Sequence, residues 1–141
     1  MLIIDATEQE IECPKHKGKP YYSRKKKGNT MKTEVRINDK GRIVQVSKSY
    51  PGSVHDFKVF KHQILPPQDS KVLVDSGYHG IYRDHKKSVY PYKNTKCQKI
   101  TSVVKDHNTL LAKTRIKVEN IIHNIQTFNI LAHKYRNQRK I

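Results

Sequence analysis

The sequence predicts an α/β protein with one mixed sheet, made of a three-stranded antiparallel meander, a crossover helix, one or more further strands and a long C-terminal helix. Two patterns predict this fold class. Short runs rich in β-branched residues alternate with turns before residue 100, and from about residue 101 to 128 apolar residues recur at helical spacing. At 141 residues the chain can bury a core as a single domain, residues 1–141, without disulfide or metal support.

The first strand is predicted from the apolar run Leu2-Ile3-Ile4, which ends on Asp5 and continues by alternation toward Pro14. A loop is expected from Lys15 to Asn29. It contains the basic run from Arg24 to Lys27, which follows Tyr21 and Tyr22 after one serine. A charge run is usually a solvated surface, but beside aromatic residues in a strongly basic chain it also fits contact with phosphates.

A hairpin follows the loop. Thr30 to Ile37 alternates apolar residues with Lys32, Glu34 and Arg36, which is typical of a half-buried strand. A turn at residues 38–41 leads to a partner strand at residues 43–46.

A helix is then predicted from a Ser-x-x-Asp start at Ser53 and Asp56, and two prolines end it at residues 66 and 67. Its apolar side comprises Val54, Phe57, Phe60 and Ile64. This helix suits a crossover into a parallel strand of the same sheet.

That strand is the apolar run Val72-Leu73-Val74, which ends abruptly on Asp75 and a small-residue turn. A buried strand that ends on a charge suggests a cation or a substrate beside it. Residues 77–85 are expected to form a turn or short helix, and residues 88–92 an edge strand because Pro91 cannot donate to a ladder.

The C-terminal helix carries one apolar stripe with Arg115, Glu119 and Gln126 along its flank. The stripe comprises Leu111, Val118, Ile121, Ile122, Ile125 and Phe128. A carboxylate on that flank can lean toward the strand ends, with Arg115 one turn away to orient it. The alternative is an ordinary ion pair between residues four apart on a helix surface.

Composition points to a polyanionic partner. The chain has 29 Lys and Arg against 12 Asp and Glu, a formal net charge of +17, which favours nucleic acid. No apolar run has the length of a membrane span, and the start of the chain does not resemble a secretory signal, so a cytosolic location is expected. Cys13 and His16 form one Cys-x-x-His without a second matching pair, which favours a surface loop over a zinc site.

Three acids now stand out: Asp5, Asp75 and Glu119. The order of strands and helices is that of an RNase H-like sheet, in which carboxylates from two central strands and a C-terminal helix converge. At these residues the sequence resembles the catalytic domain of DDE transposases of the bacterial IS5 type. The blocks that carry the resemblance are Ile3-Ile4-Asp5-Ala6-Thr7, Pro51-Gly52-Ser53-Val54-His55-Asp56, Val74-Asp75-Ser76-Gly77-Tyr78 and Arg115-Ile116-Lys117-Val118-Glu119-Asn120.

The resemblance implies that Asp5, Asp75 and Glu119 are the catalytic and metal-binding acids. They would hold two Mg²⁺ or Mn²⁺ ions, with Asp5 shared between both, for cleavage of DNA at transposon ends and strand transfer into a target. Asp56 is a reserve candidate, although a structural role is the simpler interpretation. The DNA-binding residues implied by the resemblance and by the charge pattern are Lys25, Lys26, Lys27, Arg115, Arg136 and Arg139.

Two positions depart from the family pattern. Ala112 stands where a tyrosine is common, and Gln126 stands where a lysine is expected. Both positions concern DNA handling more than metal binding. The chain also begins almost on the first catalytic strand, so it resembles a family member without the N-terminal helix-turn-helix region.

Three hypotheses follow. The first is a metal-dependent DDE endonuclease and transposase of the bacterial cytoplasm and nucleoid, with DNA as partner, a possible homodimer, and a helix-turn-helix region on a separate polypeptide. The second is an inactive remnant that acts at most as a basic DNA-binding protein. The third, a basic RNA-binding protein, leaves the acids at the strand ends without a role.

Overall fold

One mixed sheet and two α-helices make up the fold, in a computed structural model that describes residues 1–14, 18–92, 100–127 and 133–136. The strands are β1 Leu2–Glu10, β2 Tyr22–Ser23, β3 Gly28–Asn38, β4 Ile43–Val46, β5 Tyr50–Pro51, β6 Val72–Leu73 and β7 Ser88–Val89. The helices are α1 Asp56–Lys61 and α2 Ser102–Gln126, and short 3₁₀ turns lie at Lys19–Tyr21, Ser76–Tyr78 and Ile81–Arg83. The predicted α/β class, with a long C-terminal helix, is confirmed.

The strand order of the sheet is β2-β3-β1-β6-β7, and β4 and β5 also pair with β3. Strands β1, β3 and β4 form the predicted antiparallel meander. Strand β6 follows α1 and joins β1 in parallel, as the crossover prediction requires, and β7 lies at the edge. Within the predicted loop of residues 15–29, Tyr22 and Ser23 instead pair with β3, so the basic run is the turn of a small hairpin.

The register of the parallel pair brings two of the predicted acids side by side. Leu2 pairs with Val72 and Ile3 with Leu73, and the same offset continued by two residues sets Asp5 beside Asp75. Asp5 ends only the apolar run, and the strand continues past it, as predicted. It lies within β1 opposite Val35, because β3 is long enough to pair with β1 as far as Glu10.

The two faces of the sheet bury separate clusters of apolar residues. On one face Ile3, Val35, Ile37 and Leu73 pack against Val118 and Ile122 of α2. On the other face the buried cluster comprises Ile4, Phe60, Val72, Val74, Tyr78 and Ile81. The stripe predicted for α2 is therefore the side that packs on the sheet, although Phe128 lies outside the described residues.

Strand β3 contradicts its predicted half-buried pattern. Lys32, Glu34 and Arg36 are 7%, 1% and 2% exposed. Their charges are matched inside the protein, because Lys32 lies 2.7 Å from Asp56 and Arg36 lies 2.8 Å from Glu34. Buried charges that are paired and hydrogen-bonded avoid the large cost of an isolated buried ion.

The first helix is shorter than predicted. It begins at Asp56 with His55 as its N-cap and ends at Lys61, so Ile64 lies beyond the helix and is 82% exposed. The backbone explains the late start: Gly52 donates to the carbonyl of Thr30 at 2.8 Å, which ties the segment before the helix to β3. Within the described part of the chain, no helix is long and apolar enough to cross a membrane.

Candidate active site

The three predicted acids meet around a single guanidinium group. Arg115 of α2 lies 3.6 Å from Asp5, 3.3 Å from Asp75 and 3.6 Å from Glu119. Strand register sets the first two acids side by side, and α2 packs across the sheet so that residues 115 and 119 reach them. The Arg115–Glu119 contact is the expected pair of residues four apart, but the same guanidinium also reaches both strands.

Asp5 is the most enclosed of the three acids. Its side chain is 20% exposed, against 40% for Asp75 and 54% for Glu119. Burial raises the pKa of Asp5; the Arg115 charge and the hydrogen bond from the backbone amide of Ala6 oppose this rise, and the neighbouring acids add to it. Ionisation of Asp5 therefore lowers the stability of the folded protein.

Asp75 is fixed by the turn that follows β6. Its carboxylate accepts a hydrogen bond of 2.6 Å from the backbone amide of Ser76 and caps a short 3₁₀ turn. Buried Tyr78 anchors that turn in the core. Gly77 is required by close packing, since a Cβ atom there would lie 2.7 Å from a carboxylate oxygen of Asp56.

The chemistry of this donor set suits a hard divalent cation. Three carboxylates surround one positive charge, and carboxylate oxygens are the ligands that Mg²⁺ and Mn²⁺ prefer. In the structure Arg115 is that charge, and its Nε atom is buried with no hydrogen-bond partner among the described residues. Within the same residues no group of three His, Cys, Asp or Glu side chains forms a ready metal cage, so ions would require Arg115 to give way.

A cleft of about 570 Å³ lies next to the acids. It begins at Ala6 and Thr7, immediately after Asp5 in β1. Its lining includes Tyr22, the basic hairpin turn and residues 52–56. Gln126 closes one part of the cleft and donates to the hydroxyl of Thr7 at 2.8 Å.

The residues predicted to bind DNA occupy different environments. Lys25 and Lys26 are exposed and line the cleft, and Lys27 is exposed in the same turn with a left-handed φ of 52°. Arg115 is 13% exposed and engaged with the acids. Arg136 is exposed next to Tyr135, which pairs with Ile11 beyond the end of β1.

Besides Phe128, Arg139 and His16 were named from the sequence and lie outside the described residues, whereas Cys13 is exposed. The interpretation of Cys13 as part of a surface loop fits its exposure.

One functional feature was missed by the sequence interpretation. Lys32 contacts Glu8 at 3.5 Å, Asp56 at 2.7 Å and the carbonyl of Val54 at 2.7 Å, so it joins β1, β3 and the start of α1 at the base of the cleft. Asp56, the reserve candidate for a catalytic acid, therefore belongs to this cluster around Lys32 and has no ion pair with Arg115 in the structure. Burial opposes the ionisation of Glu8, but hydrogen bonds from Ser23 and Thr30 together with Lys32 lower its pKa.

The chain belongs to the DDE superfamily of endonucleases, whose family model matches residues 4–141. It is also 35% identical over 141 residues to a probable transposase for insertion sequence element IS702 from Microchaete diplosiphon. That alignment covers 99% of this chain and 51% of the relative, so the chain spans about half the length of that protein. No solved structure matches the chain.

Proposed function

We propose that this chain is an RNase H-like catalytic domain of a DNA transposase, residues 1–141, which cleaves phosphodiester bonds at transposon ends and transfers the cut strands. Membership of the DDE superfamily supports the reaction class, and the IS702 relative supports transposition. The observation that carries the proposal is the convergence of Asp5, Asp75 and Glu119 on Arg115 from two adjacent strands and one helix.

In this proposal Asp5, Asp75 and Glu119 would together hold two divalent ions, Mg²⁺ or Mn²⁺, and Asp5 would contribute to both. Bound ions supply an activated water and charge relief at both the attacking and the leaving oxygen of the phosphodiester. The low exposure of Asp5 places its charge where electrostatic interactions are strong. Arg115 offsets the mutual repulsion of the acids when they face no other cation, and its guanidinium is suited to a DNA phosphate once released from them.

The partners follow from the same proposal. DNA is the substrate, both as transposon end and as target, in the bacterial cytoplasm at the nucleoid. A homodimer and a separate helix-turn-helix polypeptide stay predictions of the sequence. Lys25, Lys26, Lys27, Arg115, Arg136 and Arg139 are proposed to contact the DNA backbone, a sequence-independent contribution.

A plasmid-nicking assay tests the catalytic proposal. Incubation with supercoiled DNA and Mg²⁺ or Mn²⁺ should yield open circles, and Asp75→Asn should reduce the rate by at least about 100-fold, because loss of a group that merely supports a metal ligand already costs 10–100-fold. Asp69→Asn is the matched control, since Asp69 is an aspartate outside the acid cluster with a fully exposed side chain. DNA binding without nicking in either metal would instead identify an inactive DNA-binding remnant.

A further inference from the structure

The geometry points to a binding site for one unstacked nucleotide of a DNA strand in the cleft beside the acids, with its base on Tyr22 and its phosphates on Arg24, Lys25 and Lys26. This inference rests on the proposed function for the identity of the polymer. It goes beyond that function in two respects. It assigns a binding site to an unpaired nucleotide of the strand, and it assigns an aromatic contact to the base of that nucleotide.

The size of the cleft selects the ligand. A volume of about 570 Å³ falls within the range of about 300–1,000 Å³ that holds ligands of small-molecule size. A nucleotide is such a ligand, whereas a duplex is far too wide to enter.

The distribution of charge sets the orientation of the nucleotide. Arg24, Lys25 and Lys26 are all exposed at the rim. At the base of the cleft the positive charge of Lys32 is already matched by Glu8 and Asp56. Among the described residues that line the cleft, Arg24, Lys25 and Lys26 at the rim therefore carry the positive charge that is open to phosphates. The uncharged base is the part of the nucleotide that suits the interior.

Tyr22 supplies a surface for that base. It lines the cleft and is 48% exposed, while its backbone is held by pairing with Asn29 of β3. An aromatic side chain with a fixed backbone and about half of its surface exposed is suited to stacking, and such stacking tolerates every base because each has a π-face. Ser23 is 3% exposed and accepts from the amide of Lys26 at 3.3 Å, which holds the basic turn beside the ring.

The position of the cleft connects it to the acids. Glu8 lies three steps beyond Asp5 along β1, a distance of about 10 Å at the usual rise of a strand. This matches about three stacked nucleotides at 3.4 Å each. A strand with a phosphate at the acids therefore reaches the cleft within a few nucleotides.

Fluorescence anisotropy with a short single-stranded oligonucleotide in EDTA tests the site without cleavage. Tyr22→Ala should weaken binding by about 30-fold, the midrange of base–aromatic stacking, whereas Tyr22→Phe should retain the wild-type affinity. Tyr82→Ala is the matched control, because Tyr82 is 62% exposed and does not line the cleft. Thermal unfolding of each variant identifies any loss of fold.

An oligonucleotide of the same length with abasic sites separates base stacking from charge. The wild-type protein should bind it about as weakly as Tyr22→Ala binds the normal strand. Equal affinity of the wild type for both strands, or a loss below twofold in Tyr22→Ala, would overturn the inference. Failure of the plasmid assay would leave this outcome unaffected, since the measurement contains no metal and reports binding alone.

Discussion

Asp5 carries the highest electrostatic cost among the three acids. Its carboxylate is the least exposed of the three, and burial raises its pKa even though Arg115 lies beside it. A group whose pKa is raised in the folded state destabilises the fold once it is ionised. This cost is absent below the unfolded pKa, which is about 3.9 for aspartate, and is complete above the raised folded value.

Asp5→Asn should therefore stabilise the protein at neutral pH while it abolishes nicking. The expected gain is about 1 kcal/mol, in the range typical when an active-site constraint is removed, which raises Tm by about 3 °C in a domain of this size. Thermal unfolding of the variant and the wild type from pH 4 to 8 measures the effect. The gain should grow as pH rises and vanish near pH 4, because only the ionised carboxylate is costly.

Asp39→Asn provides the comparison at an exposed turn outside the acid cluster. It should change Tm very little at any pH, as is usual for surface substitutions. A lower Tm for Asp5→Asn at pH 7 would show that the ion pair with Arg115 outweighs burial, and would contradict the assigned cost.

At the scale of elements, the polar cluster under the cleft joins β1, β3 and α1. Lys32 is its centre, and its ammonium group contacts Glu8 and Asp56 while its own side chain is only 9% exposed. Removal of one partner from a buried ion pair is costly because the other charge is left without compensation. The cluster thus stabilises the contact between the sheet and the start of α1.

Lys32→Met should destabilise the protein by about 3 kcal/mol, measured by urea unfolding. Lys48→Met, at an exposed position, should stay within about 0.5 kcal/mol of the wild type. The double variant Lys32→Met/Glu8→Gln should lose less than the sum of the single variants, because the two side chains are in contact. A Lys32→Met protein as stable as Lys48→Met would rule out a stabilising role for the cluster.

The same elements show which features local sequence patterns can predict. The meander, the crossover strand and α2 followed from apolar spacing, which depends on neighbours along the chain. The burial of Lys32 did not, because its partner Asp56 lies 24 residues away and alternation alone cannot reveal that the charges are matched. The predicted start of α1 was too early for a similar reason. The backbone amide of Gly52 donates a hydrogen bond to β3, and this contact ties the segment before the helix to the sheet.

The candidate site also has some features that local sequence patterns predict and others that they do not. Asp5 and Asp75 could be named from the sequence because a charge that follows an apolar strand run is visible locally. Glu119 could be named because it lies on the flank of the apolar stripe of α2, and the resemblance grouped the three acids. The central position of Arg115 and the contribution of Tyr22 to the cleft depend on how α2 and a two-residue hairpin strand are placed on the sheet. No spacing in the sequence specifies that placement.

For the whole molecule, the excess of positive charge is the dominant long-range feature. The chain carries a formal net charge of +17, and three of its 12 acids gather around the single charge of Arg115. Such a field attracts any polyanion, so net charge alone does not show where DNA lies. The exposed lysines of the hairpin turn border the cleft, whereas Lys58 and Lys86 are equally exposed elsewhere.

A pair of double variants can distinguish DNA binding at the hairpin turn from attraction by the total charge of the chain. Lys25→Ala/Lys26→Ala and Lys58→Ala/Lys86→Ala each remove two positive charges, so the net charge falls equally. If phosphates bind at the hairpin turn, the first variant should lower the slope of log affinity against log salt by about 2, one for each lost contact. The second variant should change the slope by much less, because its lysines would act only through the general field. Anisotropy with a duplex in EDTA, over a series of salt concentrations, measures both slopes, and equal slopes for the two variants would mean that DNA is held by overall charge without a defined surface.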